Sequence, residues 1–301
     1  MCGLVGLHLR TPELYPRLGE LLTGMLCQMG DRGSDSTGVA VYGDPVWSPP
    51  GRGCVSVVDV AHDAVAADEM TASVSALVGA PVDAVTVDAT YLLSSAVPSE
   101  TLLDAVTATY PEALIAGFGS DIAVLKGVGH PQTLTSDWGL AKAQGWQGVG
   151  HTRMATESAV TPARCHPYAV GPEQCLVHNG SFANHATIRR ELRSAGVHFD
   201  SDNDTEVGAR FVAKLLADGR GVESALKELC ATFDGFYTLL VSNHDSFAVV
   251  RDAIACKPAV IAETAEWVAM GSEYRALAGL PGVESAKIWE PEPEVVYAWQ
   301  R

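Results

Sequence analysis

Met1-Cys2-Gly3-Leu4-Val5-Gly6 opens the chain, and the reading of these residues decides the fold. A small second residue favours removal of the initiator, which would leave Cys2 with a nucleophilic thiol and a free α-amine on one residue. An unperturbed α-amine titrates at about 7.7–8.0 and a thiol at about 8.5, so the amine can take the thiol proton near neutral pH, directly or through one water. The apolar pattern over residues 2–9 predicts a buried strand with the thiol at its first residue. A cysteine in second place is weak evidence alone, and the rest of the chain must supply its context.

Outward from this start, Leu14–Met29 carries helical apolar spacing through Leu18, Leu21, Leu22, Met25, Leu26 and Met29 and stops at Gly30. Val39–Tyr42 reads as a short strand, and the Pro/Gly-rich run from Gly43 to Gly53 as a boundary. Between Cys54 and Gly145 the rhythm changes. Strands are expected at 55–60, over 84–97 as one long or two short ones, and at 114–117 and 122–126, with helices at 68–78, 99–109 (Ser99 as its N-cap) and 131–140. Beyond Gly150 the helices expected are 187–195, 205–216 and 222–233. A strand following Asp234-Gly235 should pair with Phe247–Arg251.

Five further signatures follow in order: Arg32-Gly33-Ser34-Asp35-Ser36-Thr37-Gly38, Gly150-His151-Thr152-Arg153-Met154-Ala155-Thr156, His166-Pro167, His178-Asn179-Gly180 and Asp202-Asn203-Asp204-Thr205-Glu206. With the opening residues, this series resembles the class II, N-terminal-nucleophile (Ntn) glutamine amidotransferases over roughly residues 1–43 and 146–301. The resemblance implies an α+β protein: a four-layer αββα Ntn-hydrolase sandwich, discontinuous over residues 1–50 and 146–301, with residues 51–145 as an inserted small α+β module. Lys257-Pro258, Gly271-Ser272-Glu273 and Glu290-Pro291-Glu292 resemble later landmarks of the family.

Covalent amide hydrolysis needs a nucleophile, a base, an oxyanion hole and a substrate clamp. Cys2 supplies the first two. By resemblance, the Asn179 side-chain amide and the Gly180 N–H are the oxyanion donors, although Asn-Gly is also the signature of a plain hairpin turn. Free glutamine is a zwitterion: Arg153 can grip its carboxylate, with Thr156 adding a hydroxyl, and Asp204 can accept from its ammonium. The competing readings are a structural ion pair for Arg153 and a helix N-cap for Asp204. Arg32, Asp35 and Ser36 are expected to shape the loop beside the thiol. His151, His166 and His178 are read as structural, because a base is already present at the N-terminus.

Composition narrows the classes. An apolar fraction of 47% describes a folded core, and 20 Lys+Arg against 36 Asp+Glu, a net −16, argues against nucleic acid as partner. The absence of a secretory leader pattern and of a long apolar run predicts a cytoplasmic chain with no membrane span. Seven scattered cysteines, with no C-x-x-C pair, suit neither a disulfide framework nor a zinc or iron–sulfur site, so no metal and no cofactor are expected in this chain. Residues 179–181 and 203–205 fit the glycosylation sequon, which means nothing without secretion. With no P-loop, GxGxxG or sugar-isomerase segment in the sequence, ammonia acceptor chemistry is expected on another polypeptide. The arrangement most resembles the glutaminase subunit of glutamate-synthase-like complexes such as N-methylglutamate synthase, in which flavin and iron–sulfur chemistry would belong to partner synthase subunits. Two alternatives stay open: an Ntn hydrolase of another amide, and a glutamine-sensing regulatory subunit.

Overall fold

A computed structural model describes residues 2–58, 67–155 and 160–301. In chain order it runs β1 (Gly3–Leu9), α1 (Leu18–Cys27), β2 (Ser36–Tyr42), β3 (Gly53–Val58), α2 (Ala67–Val78), β4 (Val82–Val87), β5 (Thr90–Ser95), α3 (Ser99–Thr109), β6 (Leu114–Gly119), β7 (Ile122–Val128), α4 (Pro131–Asp137) and β8 (Gln147–Arg153). It continues with β9 (Cys175–Phe182), α5 (His185–Ser194), α6 (Asp204–Ala217), α7 (Val222–Thr232), β10 (Gly235–Ser242), β11 (Ser246–Arg251), β12 (Val260–Glu263), β13 (Trp267–Gly271), β14 (Lys287–Trp289) and β15 (Tyr297–Gln300).

Three apolar layers separate four structural ones. A seven-stranded sheet, ordered β14-β12-β13-β1-β8-β2-β7, puts β1 at its centre, and a four-stranded sheet, ordered β15-β11-β10-β9, stacks on it. Val5, Leu7 and Leu9 of β1 pack against Leu18, Leu22, Met25 and Leu26 of α1. Leu4, on the opposite face, joins Val177, Leu240 and Phe247 between the sheets. The outer face of the second sheet meets Ile188, Val207, Val212, Leu226 and Leu229 of α5, α6 and α7. The protein is thus α+β, a helix–sheet–sheet–helix sandwich. Strand β1 is buried on both faces along its whole length, so nothing near Cys2 can drift: each side is packed, and shaving one such leucine to alanine costs about 2–5 kcal/mol. Gly6 lets the sheets approach here, since a Cβ would lie 2.4 Å from Leu240 and 2.7 Å from Phe247.

The inserted region differs from expectation at its far boundary. Residues 53–119 form a third sheet, ordered β4-β5-β3-β6 with antiparallel neighbours, in a β-α-β-β-α-β sequence of the ferredoxin-like kind. One face is covered by α2 and α3 through Met70, Val74, Leu102 and Val106. Strand β7, however, pairs with β2 along Ser36–Tyr42 and closes the edge of the seven-stranded sheet, and the α4 segment contributes Leu134 and Trp138 to the layer around α1. Residues 122–145, expected inside the insertion, therefore belong to the central sandwich. Apolar alternation marks a strand without saying which sheet it joins, and pairing with β2 is a non-local choice.

Smaller departures have local causes. Pro12 and Pro16 hold residues 12–17 in a 3₁₀ turn, so α1 begins at Leu18 rather than Leu14. Of the two readings of 84–97, two short strands is the one the structure takes: the hairpin β4–β5 turns at Asp88 with φ +51°. Ser99 is the first helical residue of α3, with Pro98 in the cap position. The end of the strand expected over 55–60 lies outside the described residues beyond Val58.

Candidate active site

Strand β1 delivers Cys2 to the end of the central sheet, half-buried, just before Gly3 pairs with Thr152 of β8. Its carbonyl accepts from Arg32 Nε at 2.9 Å and from Asn179 Nδ2 at 3.3 Å. Asn179 is buried on β9, in the facing sheet, so its amide is aimed across the sandwich at the cysteine. Gly180 follows with φ +143°, and a Cβ there would lie 2.0 Å from the Phe236 carbonyl oxygen. Only glycine fits there, and the residue lines the cleft beside Asn179.

Arg153 ends β8, buried and opposite Ser36 of β2. Asp35, one residue before β2, ties this corner together: its N–H donates to the Arg153 carbonyl at 3.0 Å and its Oδ2 accepts from Ala155 N–H at 2.7 Å. Ser36 is buried beside it. Asp204 begins α6, and its Oδ2 accepts from the Phe182 N–H at 2.8 Å, which fixes the carboxylate relative to the end of β9. The N-cap is Asn203, whose Oδ1 accepts from Thr205 N–H at 2.9 Å. Asp204 is not the cap that its position suggested. Thr156 lies outside the described residues.

Cys2, Arg153, Asn179, Gly180 and Asp204 line one cleft of about 500 Å³. Sequence reasoning missed Arg164 and His185 on its wall, and had Asp202 only as the start of a signature and Lys257 only as a landmark. Arg164 and Asp202 pair at 2.9 Å on the rim. Their residue types carried no signal, because the two segments meet only in the fold. Lys257 stands 5.1 Å above the Phe236 ring.

The histidines form a buried stack behind the cleft. Thr205 Oγ1 lies 2.9 Å from His166 Nε2 and 2.8 Å from His178 Nδ1, His151 Nε2 lies 3.1 Å from the His178 carbonyl oxygen, and the rings of His151 and His166 are 4.0 Å apart. Burial lowers the proton affinity of all three, that of His151 to about 3. They are neutral at physiological pH and join β8, β9 and α6 by hydrogen bonds and ring contacts. Among the described residues no group of three or more His, Cys, Asp or Glu is placed to hold a metal ion.

A thiol at the head of a doubly buried strand thus shares one cleft with an amide donor, a cation and an anion, the set of groups that the resemblance to N-terminal-nucleophile amidotransferases led us to expect. Residues 151–279 match the glutamine amidotransferase domain family. The chain is 44% identical over 299 residues to the glutamine amidotransferase-like protein GlxB of Rhizobium meliloti, covering 99% of this chain and 98% of that one. It is 36% identical over 137 residues to the glutamine–fructose-6-phosphate aminotransferase of Mycobacterium bovis, covering 44% of this chain and 22% of that one. Among solved structures, the fold matches the glutamine phosphoribosylpyrophosphate amidotransferase of B. subtilis with TM-score 0.61 at 16% identity, over 99% of this chain and 49% of that one. The chain belongs to the class II glutamine amidotransferases and is an enzyme of that class.

Proposed function

We propose that this protein hydrolyses L-glutamine to glutamate and ammonia through a Cys2 thioester and passes the ammonia to a synthase subunit on another polypeptide. The observation that carries this reading is the shared cleft of Cys2, Asn179, Gly180, Arg153 and Asp204. After loss of Met1, the α-amine takes the thiol proton as the sulfur attacks the side-chain amide carbon. The oxyanion is held by Asn179 Nδ2 and Gly180 N–H. Collapse breaks the C–N bond, and the leaving nitrogen takes the proton from the ammonium to depart as ammonia. Water then attacks the thioester, giving glutamate and restoring the thiol, with the amine again as base. Arg153 and Asp204 hold the α-carboxylate and α-ammonium of the substrate, and Thr156 adds its hydroxyl to the carboxylate.

The chemistry needs no cofactor in this chain, and flavin and iron–sulfur chemistry would sit in the partner subunits of a glutamate-synthase-like complex. Alignment over 299 residues with GlxB, a glutamine amidotransferase-like protein, supports the amidotransferase part of this reading. No described helix is long and apolar enough to cross a membrane. The test is glutamate and ammonia release from glutamine by the purified chain, alone and with its co-purifying partner, with mass spectrometry of the N-terminus and of a trapped Cys2 adduct. Retained Met1 on a fully active enzyme, or an equally good rate on an amide lacking the α-amino acid group, would overturn it.

A further inference from the structure

A line of alternating charges runs from Cys2 to the surface, and the glutaminase reaction as written above leaves it unused. Arg32, buried in the turn after α1, donates Nε to the Cys2 carbonyl at 2.9 Å and Nη1 to Glu273 Oε1 at 2.6 Å. Its Nη2 is buried with no hydrogen-bond partner among the described residues, so Glu273 is the carboxylate that answers its charge. Arg275 Nε lies 2.8 Å from the other Glu273 oxygen, and Arg275 Nη1 lies 3.1 Å from Asp31. The hydrogen bond from Arg32 holds the Glu273 carboxyl below its ordinary range. Next to Glu273, Ser272 grips the nucleophile's strand: Leu4 N–H donates to Ser272 Oγ and Ser272 N–H to the Leu4 carbonyl, both at 2.9 Å.

We propose that Glu273 is a positioning residue for Cys2: it holds Arg32 on the Cys2 carbonyl and, by offsetting the guanidinium charge, sets the proton affinity of the Cys2 thiol and α-amine. This rests on reading Cys2 as the N-terminal nucleophile. A cation bonded to the carbonyl of the residue that carries both thiol and amine favours the thiolate and disfavours a second positive charge on the amine. Glu273 limits that effect, so the amine keeps enough basicity to take the thiol proton. Around Cys2 stand Arg153 from β8, His166 and His178 from the stack, His185 from α5, Asp204 from α6, Lys257 from the segment before β12, and Asp31, Arg32, Glu273 and Arg275 from the line itself. Burial keeps His166 and His178 neutral, and His185 is common to every variant compared.

E273Q keeps the shape and removes the charge. The acid limb of kcat/KM for glutamine, and the pH midpoint for alkylation of Cys2 by iodoacetamide followed on its own peptide, should both move down by about half a pH unit, the size expected of one charge acting across a guanidinium. The rate should fall mainly in kcat, with KM within about twofold. E273D, which restores the charge, should bring both midpoints back toward wild type. R275Q, which leaves Glu273 less balanced, should move them upward. Midpoints for E273Q within 0.1 unit of wild type, or equal shifts in E273D and E273Q, or a downward shift in R275Q, would overturn the proposal whatever happens to the melting temperature. The alkylation arm needs no glutamine, so an enzyme inactive on glutamine would sink the functional reading while this inference was still decided.

Discussion

On one side of β7, five separated segments of chain send polar side chains into one cleft: Cys2, Arg153, Asn179, Asp204 and Lys257. On the other side, the sheet of residues 53–119 turns Val55, Val57 and Leu93 toward α2 and α3, with polar bonds such as Arg52–Asp83 at 2.6 Å and Ser95 Oγ to the Pro81 carbonyl at 2.8 Å at its edges and one, from Val124 N–H to Ser56 Oγ at 3.0 Å, reaching β7. The two regions share a seam, because Val58 and Ala116 of that sheet pack with Ile122 and Val124 of β7. The same elements thus serve two ends. Where chemistry is done, buried polar groups are placed and held at a cost; where it is not, apolar periodicity suffices.

The strongest way to break this contrast is at Cys2. In the proposed mechanism nucleophile and base share that residue, so Cys2→Ala should lower glutamine hydrolysis by at least about 10⁴-fold. Its melting temperature should stay near wild type, because the side chain is only half-buried. Activity within a hundredfold of wild type would place the chemistry elsewhere.

Next come the two charges of the proposed substrate clamp. Arg153→Ala and Asp204→Asn should each cost about 2–5 kcal/mol in kcat/KM for glutamine, by leaving one end of the zwitterion unanswered. Asparagine keeps an oxygen for the Phe182 N–H that Asp204 now accepts, so a loss in that variant is not a loss of fold. Unchanged kcat/KM in both variants would show the clamp misassigned.

The sequence made this half legible because its residue types are chemically unusual in their places: a thiol in second position, an Asn-Gly inside a strand, an arginine at a strand end. What stayed hidden was set by pairing and packing. Lys257 and Arg164 come from loops distant in sequence, the Asn203 cap stands one residue from an equally good candidate in Asp204, and β7 reads the same whether it joins the third sheet or the first. The inserted sheet itself was visible as period and length, and its strand order was not.

Acid should separate the halves by a smaller amount. His151, His166 and His178 are neutral when folded, with His151 held to about 3, while an unfolded histidine titrates near 6.5. Below about pH 6.5 the unfolded chain binds protons that the folded chain refuses, so stability falls as pH drops. The slope is at most about 1.4 kcal/mol per pH unit for each histidine. Hydrogen exchange at pH 7.5 and 5.5 should therefore show β8 and β9 losing protection, while β3 and β5, which contain no histidine, keep theirs. Equal loss in both regions would tie acid sensitivity to something other than the stack.

The smallest effect on hydrolysis should come from the largest excision. Cys54 and Gly119 face each other in the β3–β6 pairing, so the ends left by removing residues 53–119 are already neighbours and a linker of about three residues can join Arg52 to Ser120. The cut must stop before β7. Excision through Gly145 would strip β2 of its outer partner and remove the α4 segment, confusing a structural loss with a functional one. Cut this way, the Glu173 carboxylate still accepts from the Ser120 and Asp121 N–H groups and holds the entry to β7. The apolar surface uncovered on Ile122 and Val124 will lower stability. No wall of the cleft is removed, so hydrolysis of glutamine by the folded variant should stay within about threefold of wild type, or about 0.7 kcal/mol. Assembly with the proposed synthase partner should be lost if the sheet of residues 53–119 is a docking or regulatory module. A folded variant that no longer hydrolyses glutamine would make the sheet part of the catalytic body. Unimpaired assembly and regulation would leave it as a brace for β7 and nothing more.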